Sequence, residues 1–155
     1  MEQKVGAIRE KIGLCWRYRI ITFLLSLLSL FIGGSLYLMY RSDSLVMFGW
    51  CKALGIYDMV LNLRPKESLG GWVVYSLPDG LWLFSYILLM GCIWNFNLKR
   101  SFYASFPLAF IAIGSELLQI LGWVPGTFDV VDLLCYLAAC GLGHVYLKSF
   151  NHLIQ

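Results

Sequence analysis

Three carboxyl groups and an amide lie within seventeen positions of an otherwise apolar part of the chain, in the stretch GSELLQILGWVPGTFDVVD. They belong to Glu116, Gln119, Asp129 and Asp132. Acids this close together can share a proton, hold a cation or accept hydrogen bonds from a ligand, because like charges must be compensated by something. The chemistry available to this stretch therefore depends on which elements bring the side chains together.

The composition is that of a protein embedded in lipid. Of its 155 residues 59% are hydrophobic and only 14% are charged, well below the usual quarter. Residues 20–40 form an uncharged run long enough to cross roughly 30 Å of hydrocarbon as a helix. Residues 81–96, 101–115 and 133–147 are further uncharged runs. These runs predict an all-α integral membrane protein.

The pattern predicts four transmembrane helices within a single transmembrane domain that covers residues 1–155. Their expected bounds are about 20–40, 79–97, 102–121 and 129–147. Residues 1–19 are predicted to be a basic cytoplasmic segment. The apolar run that follows exceeds the usual hydrophobic region of a cleaved signal peptide, so the first span is predicted to be an uncleaved anchor.

Residues 41–78 are predicted to form an extracytoplasmic loop that contains an additional helix. Residues 45–63 are apolar on one side, but Lys52 and Asp58 interrupt them. This pattern favours an interfacial or re-entrant helix over a fifth span. Four spans also give the better charge distribution, with eight basic residues beside the predicted cytoplasmic ends and four outside. Both termini of this multi-pass protein are therefore predicted to be cytoplasmic.

This topology predicts that the polar residues converge in the extracytoplasmic half of the bundle. Glu116 and Gln119 share a helix face near the outer end of the third span, and Asp132 lies one turn into the fourth. Asp79 opens the second span on the same side, so we expect Glu116 and Gln119 to pair with Asp132 and with Asp79. Arg41 or Arg64 could supply a compensating charge.

Helix capping is the structural alternative for part of this cluster. Asp129 precedes an apolar helix as a natural N-cap, and Asp132 then occupies the third helical position, where acids are favoured. Asp79 follows Pro78 in a first turn, where a carboxylate interacts favourably with the helix dipole. Capping does not explain Glu116, which lies well inside its helix.

The sequence offers no recognisable catalytic, cofactor or metal site. His144 and His152 are predicted at the end opposite to the acids, and no nucleophile motif is present. The five cysteines form no C-x-x-C pair, which argues against a disulfide framework or a zinc site. The basic residues flank spans, so the net charge of +3 does not predict nucleic-acid binding.

The same residues resemble the VanZ-like family of small bacterial membrane proteins. The family pattern has an acid, a Gln three positions later, a turn, an Asp and two glycines, and it is matched at Glu116, Gln119, the PGTF turn, Asp129, Asp132 and Gly143. The chain departs from it at Thr127, Tyr136 and Ala139, where the family has Arg, Asn and Gly. The N-terminal half, with LPDGLW, matches only loosely and lacks the family's His. The resemblance implies a bacterial inner-membrane protein with an envelope function, such as low-level glycopeptide resistance, and no assigned reaction.

Three functions remain open at this point. The first is a non-enzymatic protein whose outer polar pocket binds a membrane lipid, a lipid-linked ligand or an envelope-derived ligand. The second is an oligomerising subunit, sensor or pore component of a larger membrane complex, favoured by the small-residue faces Ser29-x-x-x-Gly33 and Ala139-x-x-x-Gly143. The third is a membrane-embedded transferase or hydrolase that uses Glu116 and Asp132. A proton-coupled transporter is less favoured, because only one acid lies deep.

Overall fold

The computed structural model contains seven helices along the described part of the chain, and no strand is found there. The structure describes the backbone of residues 2–154 and the side chains of residue 6 and residues 9–151. His152, one of the two histidines considered above, has its side chain outside these ranges. The helices are α1 (Glu2–Tyr40), α2 (Val46–Ala53), α3 (Tyr57–Asn62), α4 (Gly71–Tyr75), α5 (Leu77–Ile93), α6 (Leu98–Ile120) and α7 (Val130–Ile154).

Within residues 2–154, four stretches are long and apolar enough to cross a membrane, which confirms the predicted all-α fold with four spans. They are Arg9–Tyr40, Gly71–Ile93, Leu98–Ile120 and Val130–Asn151. The second combines α4 with α5. Large apolar side chains on the outside of the bundle remain exposed, for example Phe31, Phe110 and Val145. A surface of this kind is stable against lipid and costly against water.

The helix bounds differ from the predicted ones at several places. Helix α6 begins at Leu98 rather than at 102, α7 continues to Ile154 rather than ending at 147, and two further differences concern α1 and α5. The basic segment before residue 20 is not separate from the first span, because α1 is continuous from Glu2. The second span was expected to reach residue 97 but α5 ends at Ile93. Asn95 and Phe96 adopt φ values of 48° and 56°, which no α-helix accommodates, and the Asn97 side chain then caps α6 by accepting from the Arg100 N–H at 3.0 Å.

The segment 45–63 forms two short helices rather than the single one expected. Gly55, with φ of +70°, ends α2, and α3 begins two residues later. Helices of eight and six residues are too short to span. Phe48, Cys51 and Val60 are buried between them, and Leu38 of α1 packs against this small core.

Helix α5 is the centre of the bundle, and small residues let its neighbours approach it closely. Gly33 of α1 faces the Trp82 ring, and a Cβ built there would lie 2.7 Å from it. Gly143 of α7 faces Ile87 in the same way, with a corresponding distance of 2.8 Å. A Cβ at Gly91 of α5 would clash with the Leu147 side chain of α7. These glycines serve helix packing within the chain.

The two ends of the bundle carry opposite charges. The acidic end contains the C-terminal ends of α1 and α6, the start of α5 and α7, and the short helices α2 to α4. Its acids include Asp79, Glu116, Asp129 and Asp132. The basic end contains the connection between α5 and α6, the N-terminal part of α1 and the C-terminal part of α7. There the rings of Tyr18 and Phe150 are tilted against each other, with their centroids 4.8 Å apart.

Candidate functional site

Asp129 and Asp132 occupy the first turn of α7. The Asp129 side chain accepts a hydrogen bond from the Val131 N–H at 2.8 Å, so Asp129 is the N-cap that the sequence predicts. Asp132 is the third residue of the helix. In an ordinary capping box an acid at this position reaches back to the N–H of the N-cap residue. Here Asp132 does not, and its Oδ1 is buried with no partner among the described residues.

Glu116 makes the contact with the N-cap N–H that Asp132 would make in a capping box. Its carboxylate, from the end of α6, accepts a hydrogen bond from the Asp129 N–H at 3.4 Å. Glu116 is only 6% exposed, so this contact ties two helices together in a largely dry environment. The expected pairing of Glu116 with the Asp132 side chain is absent from the described hydrogen bonds. The contact runs to the backbone because the N-cap N–H is the unsatisfied donor nearest to it.

Gln119 lies one turn beyond Glu116 and packs against the turn that joins α6 to α7. A Cβ added to Gly126 would lie 2.8 Å from its Nε2, and Gly126 has φ of +135°. The Oε1 of Gln119 is buried without a partner among the described residues. Gln119 therefore shares the face of Glu116, as the sequence predicts, but it contacts the turn rather than Asp132.

Asp79 brings a third acid to the same region. It lies in the first turn of α5, after Pro78. Glu116 lies near the end of α6 and Asp132 in the first turn of α7, so three different spans each bring one carboxyl group to the acidic end of the bundle. Such an arrangement is stable in a membrane only when a cation, protons or a polar ligand offsets the repulsion.

Arg41 supplies a positive charge beside Asp79. Its Nη2 lies 4.0 Å from Asp79 Oδ2, and both side chains are about a quarter exposed. The guanidinium lies over the rings of Tyr37 and Tyr75, at 5.2 and 4.7 Å, and donates to the Tyr75 carbonyl at 3.3 Å. Its Nε is buried with no partner among the described residues. This Nε, Gln119 Oε1, Asp132 Oδ1 and Ser76 Oγ are therefore buried polar atoms at this end that lack partners among the described residues.

Arg64, the other cation considered from the sequence, has a structural position instead. It donates to the carbonyls of Leu38 at 3.1 Å and Arg41 at 2.7 Å, and lies over the Phe48 ring at 4.7 Å. Carbonyls in the last turn of a helix have no N–H partner within that helix, and a guanidinium can donate hydrogen bonds to them. Arg64 therefore holds the α2–α3 segment against the end of α1.

Sequence reasoning missed two aromatic residues beside the acids. Trp82 and Tyr136 line a cavity of about 160 Å³ together with Asp79, Leu83, Leu108 and Ala112. Trp82 Nε1 is buried and unpartnered among the described residues. In the sequence, Tyr136 is notable only because the VanZ-like pattern has Asn at this position. The signal for Trp82 was its position three residues after Asp79, which places the two on one helix face.

Groups typical of catalytic and metal sites are not found beside these acids among the described residues. The one described histidine, His144, lies on the other half of α7 beside Phe102, with ring centroids 6.4 Å apart. Among the described residues, no group of three or more His, Cys, Asp or Glu side chains could hold a metal ion. Comparison of the chain with protein-family models, with characterised proteins and with solved structures finds no match.

Proposed function

We propose that this protein is a non-enzymatic, VanZ-like protein of the bacterial inner membrane, and that it binds a lipid-linked or envelope-derived ligand at its acidic end. The ligand's polar part would contact the cluster formed by Arg41, Asp79, Glu116, Gln119 and Asp132, which we call the acidic pocket. In this proposal the acidic end faces away from the cytoplasm. Both termini, which lie at the basic end, would be cytoplasmic.

The observation that carries this proposal is the set of buried polar atoms without protein partners. The large majority of buried polar side-chain atoms in proteins have a hydrogen-bond partner. Six such atoms have none among the described residues. Five of them lie in the acidic half of the bundle and Ser101 Oγ lies at the basic end; the five are Arg41 Nε, Ser76 Oγ, Trp82 Nε1, Gln119 Oε1 and Asp132 Oδ1. A ligand with hydroxyl or amide N–H donors for the carboxylate and amide oxygens and a carbonyl or phosphate oxygen for Arg41 would satisfy Arg41, Gln119 and Asp132 together.

The charge distribution supports the orientation. Basic residues near span ends favour the cytoplasmic side. Described cations at the basic end include Arg17, Arg19, Lys99, Arg100 and Lys148, whereas the acidic end holds Arg41, Lys52, Arg64 and Lys66. Of the latter, Arg41 and Arg64 are bound to other protein groups.

The alternative of an oligomerising subunit loses part of its support. The support for oligomerisation came from the small-residue faces that begin at Ser29 and Ala139. Ser29 and Ala139 are buried, and Gly33 and Gly143 meet Trp82 and Ile87 of the same chain. Both faces are thus used within one molecule, which favours the ligand-binding function.

The test is lipid retention by protein extracted from bacterial membranes without detergent, in polymer-bounded discs. We expect mass spectrometry to find an envelope lipid or lipid-linked sugar enriched over the bulk membrane, and Asp132→Asn and Arg41→Gln to lose it. Asp58→Asn is the matched control, because Asp58 is an exposed acid on α3. Equal lipid profiles for all four proteins would contradict the proposal.

A further inference from the structure

A groove at the basic end, on the side of the bundle between α1 and α5, combines one cation with an apolar floor. It has a volume of about 300 Å³ and is lined by Trp16, Arg19, Ile20, Phe23, Leu89 and Ile93, with Cys92 at its back. Cys92 donates to the Arg19 carbonyl at 3.5 Å, which fixes the two helices at this level. We call it the basic-end groove.

The polar and apolar parts of the groove are separated along the membrane normal. Arg19 lies towards the basic end, with its guanidinium 6.0 Å from the centre of the Trp16 ring. Phe23 lies one helical turn, or roughly 6 Å, closer to the middle of the bundle. Tryptophan and arginine at the end of a span occupy the headgroup level of a bilayer, and the residues below them face acyl chains.

The charge around the groove favours an anionic occupant. No described carboxylate lies within ion-pair distance of Arg19. The neighbouring cations are Arg17, Lys99 and Arg100, and Glu10 is the one acid at this end whose side chain is described. An arginine with free donors binds phosphate oxygens in a bidentate manner.

We propose that the basic-end groove binds one anionic phospholipid, with its phosphate on Arg19 and part of an acyl chain against Ile20, Phe23 and Leu89. The volume is at the low end of the range for ligand sites, about 300 to 1,000 Å³, which suits a chain segment rather than a whole lipid. The site lies at the opposite end from the acidic pocket and does not depend on the proposed function.

The experiment is native mass spectrometry of the full-length protein in detergent, titrated with a phosphatidylglycerol or with a phosphatidylcholine that carries the same acyl chains. We expect the wild type to bind the phosphatidylglycerol more tightly. Arg19→Gln should weaken phosphatidylglycerol binding about tenfold, the value of one charge-assisted hydrogen-bonded contact, and should remove the preference between the lipids.

Arg17→Gln is the matched control, because it removes the same charge from an exposed position that does not line the groove. Without a membrane surface to attract lipid from a distance, it should change either affinity less than about twofold. Equal effects of the two substitutions would mean non-specific attraction and would overturn the proposal. Equal binding of the two lipids to the wild type would also overturn it.

A second variant tests the apolar part without touching a charge. Ile20 is 44% exposed, so Ile20→Trp should fold while filling the groove. We expect it to weaken both lipids. Unchanged phosphatidylglycerol binding by Ile20→Trp would show that the lipid lies elsewhere, and this result decides the matter even if Arg19→Gln fails to fold.

Discussion

At the scale of single residues, Glu116 and Asp132 have different roles at the start of α7. Glu116 satisfies the N–H of the α7 N-cap from another helix, and this frees Asp132 from the contact that its position normally makes. An acid that the fold does not use, held in the first turn of a span, is stabilised only partly by the helix dipole. Asp132 is therefore the residue of the acidic pocket most available to a ligand.

Asp132→Asn should consequently separate binding from stability. It removes a helix-dipole interaction of about 0.3–1 kcal/mol and also removes repulsion from Asp79 and Glu116, so we expect a stability change below about 1 kcal/mol. Ligand retention should be lost. Thermal unfolding in detergent and lipid analysis on the same sample measure both quantities. Loss of stability together with retained ligand would contradict the assignment.

Glu116→Ala should lower stability more than Asp132→Asn does. It leaves the part-buried Asp129 N–H without its acceptor, which costs at most about 1–3 kcal/mol. Glu116→Gln keeps an acceptor oxygen and should be milder in thermal unfolding, although it alters the pocket. If the pocket is one unit, Glu116→Gln and Asp132→Asn each abolish ligand retention, and the double variant adds little. Additive partial losses would indicate independent residues.

At the scale of elements, the turn between α6 and α7 sets the position of Gln119. Gly126 has a positive φ and is in contact with the Gln119 amide. Gly126→Ala would combine backbone strain of about 1–3 kcal/mol with a displaced amide, so we expect lower stability and weaker ligand retention. Gly114→Ala is the control, because it has open space and should be neutral or stabilising by about 0.5–1 kcal/mol. Equal melting temperatures for the two variants would refute this account.

Arg64 makes an element-scale prediction about the α2–α3 segment. Arg64→Met keeps the length of the side chain but loses the donors to the Leu38 and Arg41 carbonyls. We expect faster proteolysis between residues 42 and 66, because the segment loses its main polar contact with α1. Lys66→Met, at an exposed position, should leave the rate unchanged. Unaltered cleavage of Arg64→Met would show that apolar packing around Phe48 alone holds the segment.

The elements also show what the sequence could and could not predict. The four spans follow from uncharged runs and lipid thickness, and the Asp129 cap follows from its place before an apolar helix. The end of α5 did not follow, because positive φ at Asn95 and Phe96 is imposed by tertiary packing, with Phe96 buried at 1% exposure. The Glu116 contact with a backbone N–H and the approach of Arg41 to Asp79 depend on loop conformations that no periodicity encodes.

At the scale of the whole molecule, α5 holds the other spans through glycine contacts while the outer faces of the bundle remain apolar. In lipid, van der Waals packing of this kind is the main force between helices, because burying apolar surface brings no gain there. The fold can therefore hold an unsatisfied polar cluster at one end, since stability comes from contacts along the length of the bundle. The orientation of that end in the membrane decides which ligands can reach it.

Exposed lysines at the two ends allow a direct test of the orientation. Lys66 belongs to the acidic end and Lys99 to the basic end, and both are exposed. In a variant whose five cysteines are replaced by Ala or Ser, we introduce Lys66→Cys or Lys99→Cys. A membrane-impermeant thiol reagent added to intact cells should label position 66 only, and permeabilised cells should be labelled at both positions. We expect this result because an excess of cations beside the spans at the basic end favours a cytoplasmic position for that end. Labelling of position 99 alone would invert the orientation and place the acidic pocket in the cytoplasm, where envelope-derived ligands do not reach it. Labelling of both positions in intact cells would contradict the arrangement of four spans itself.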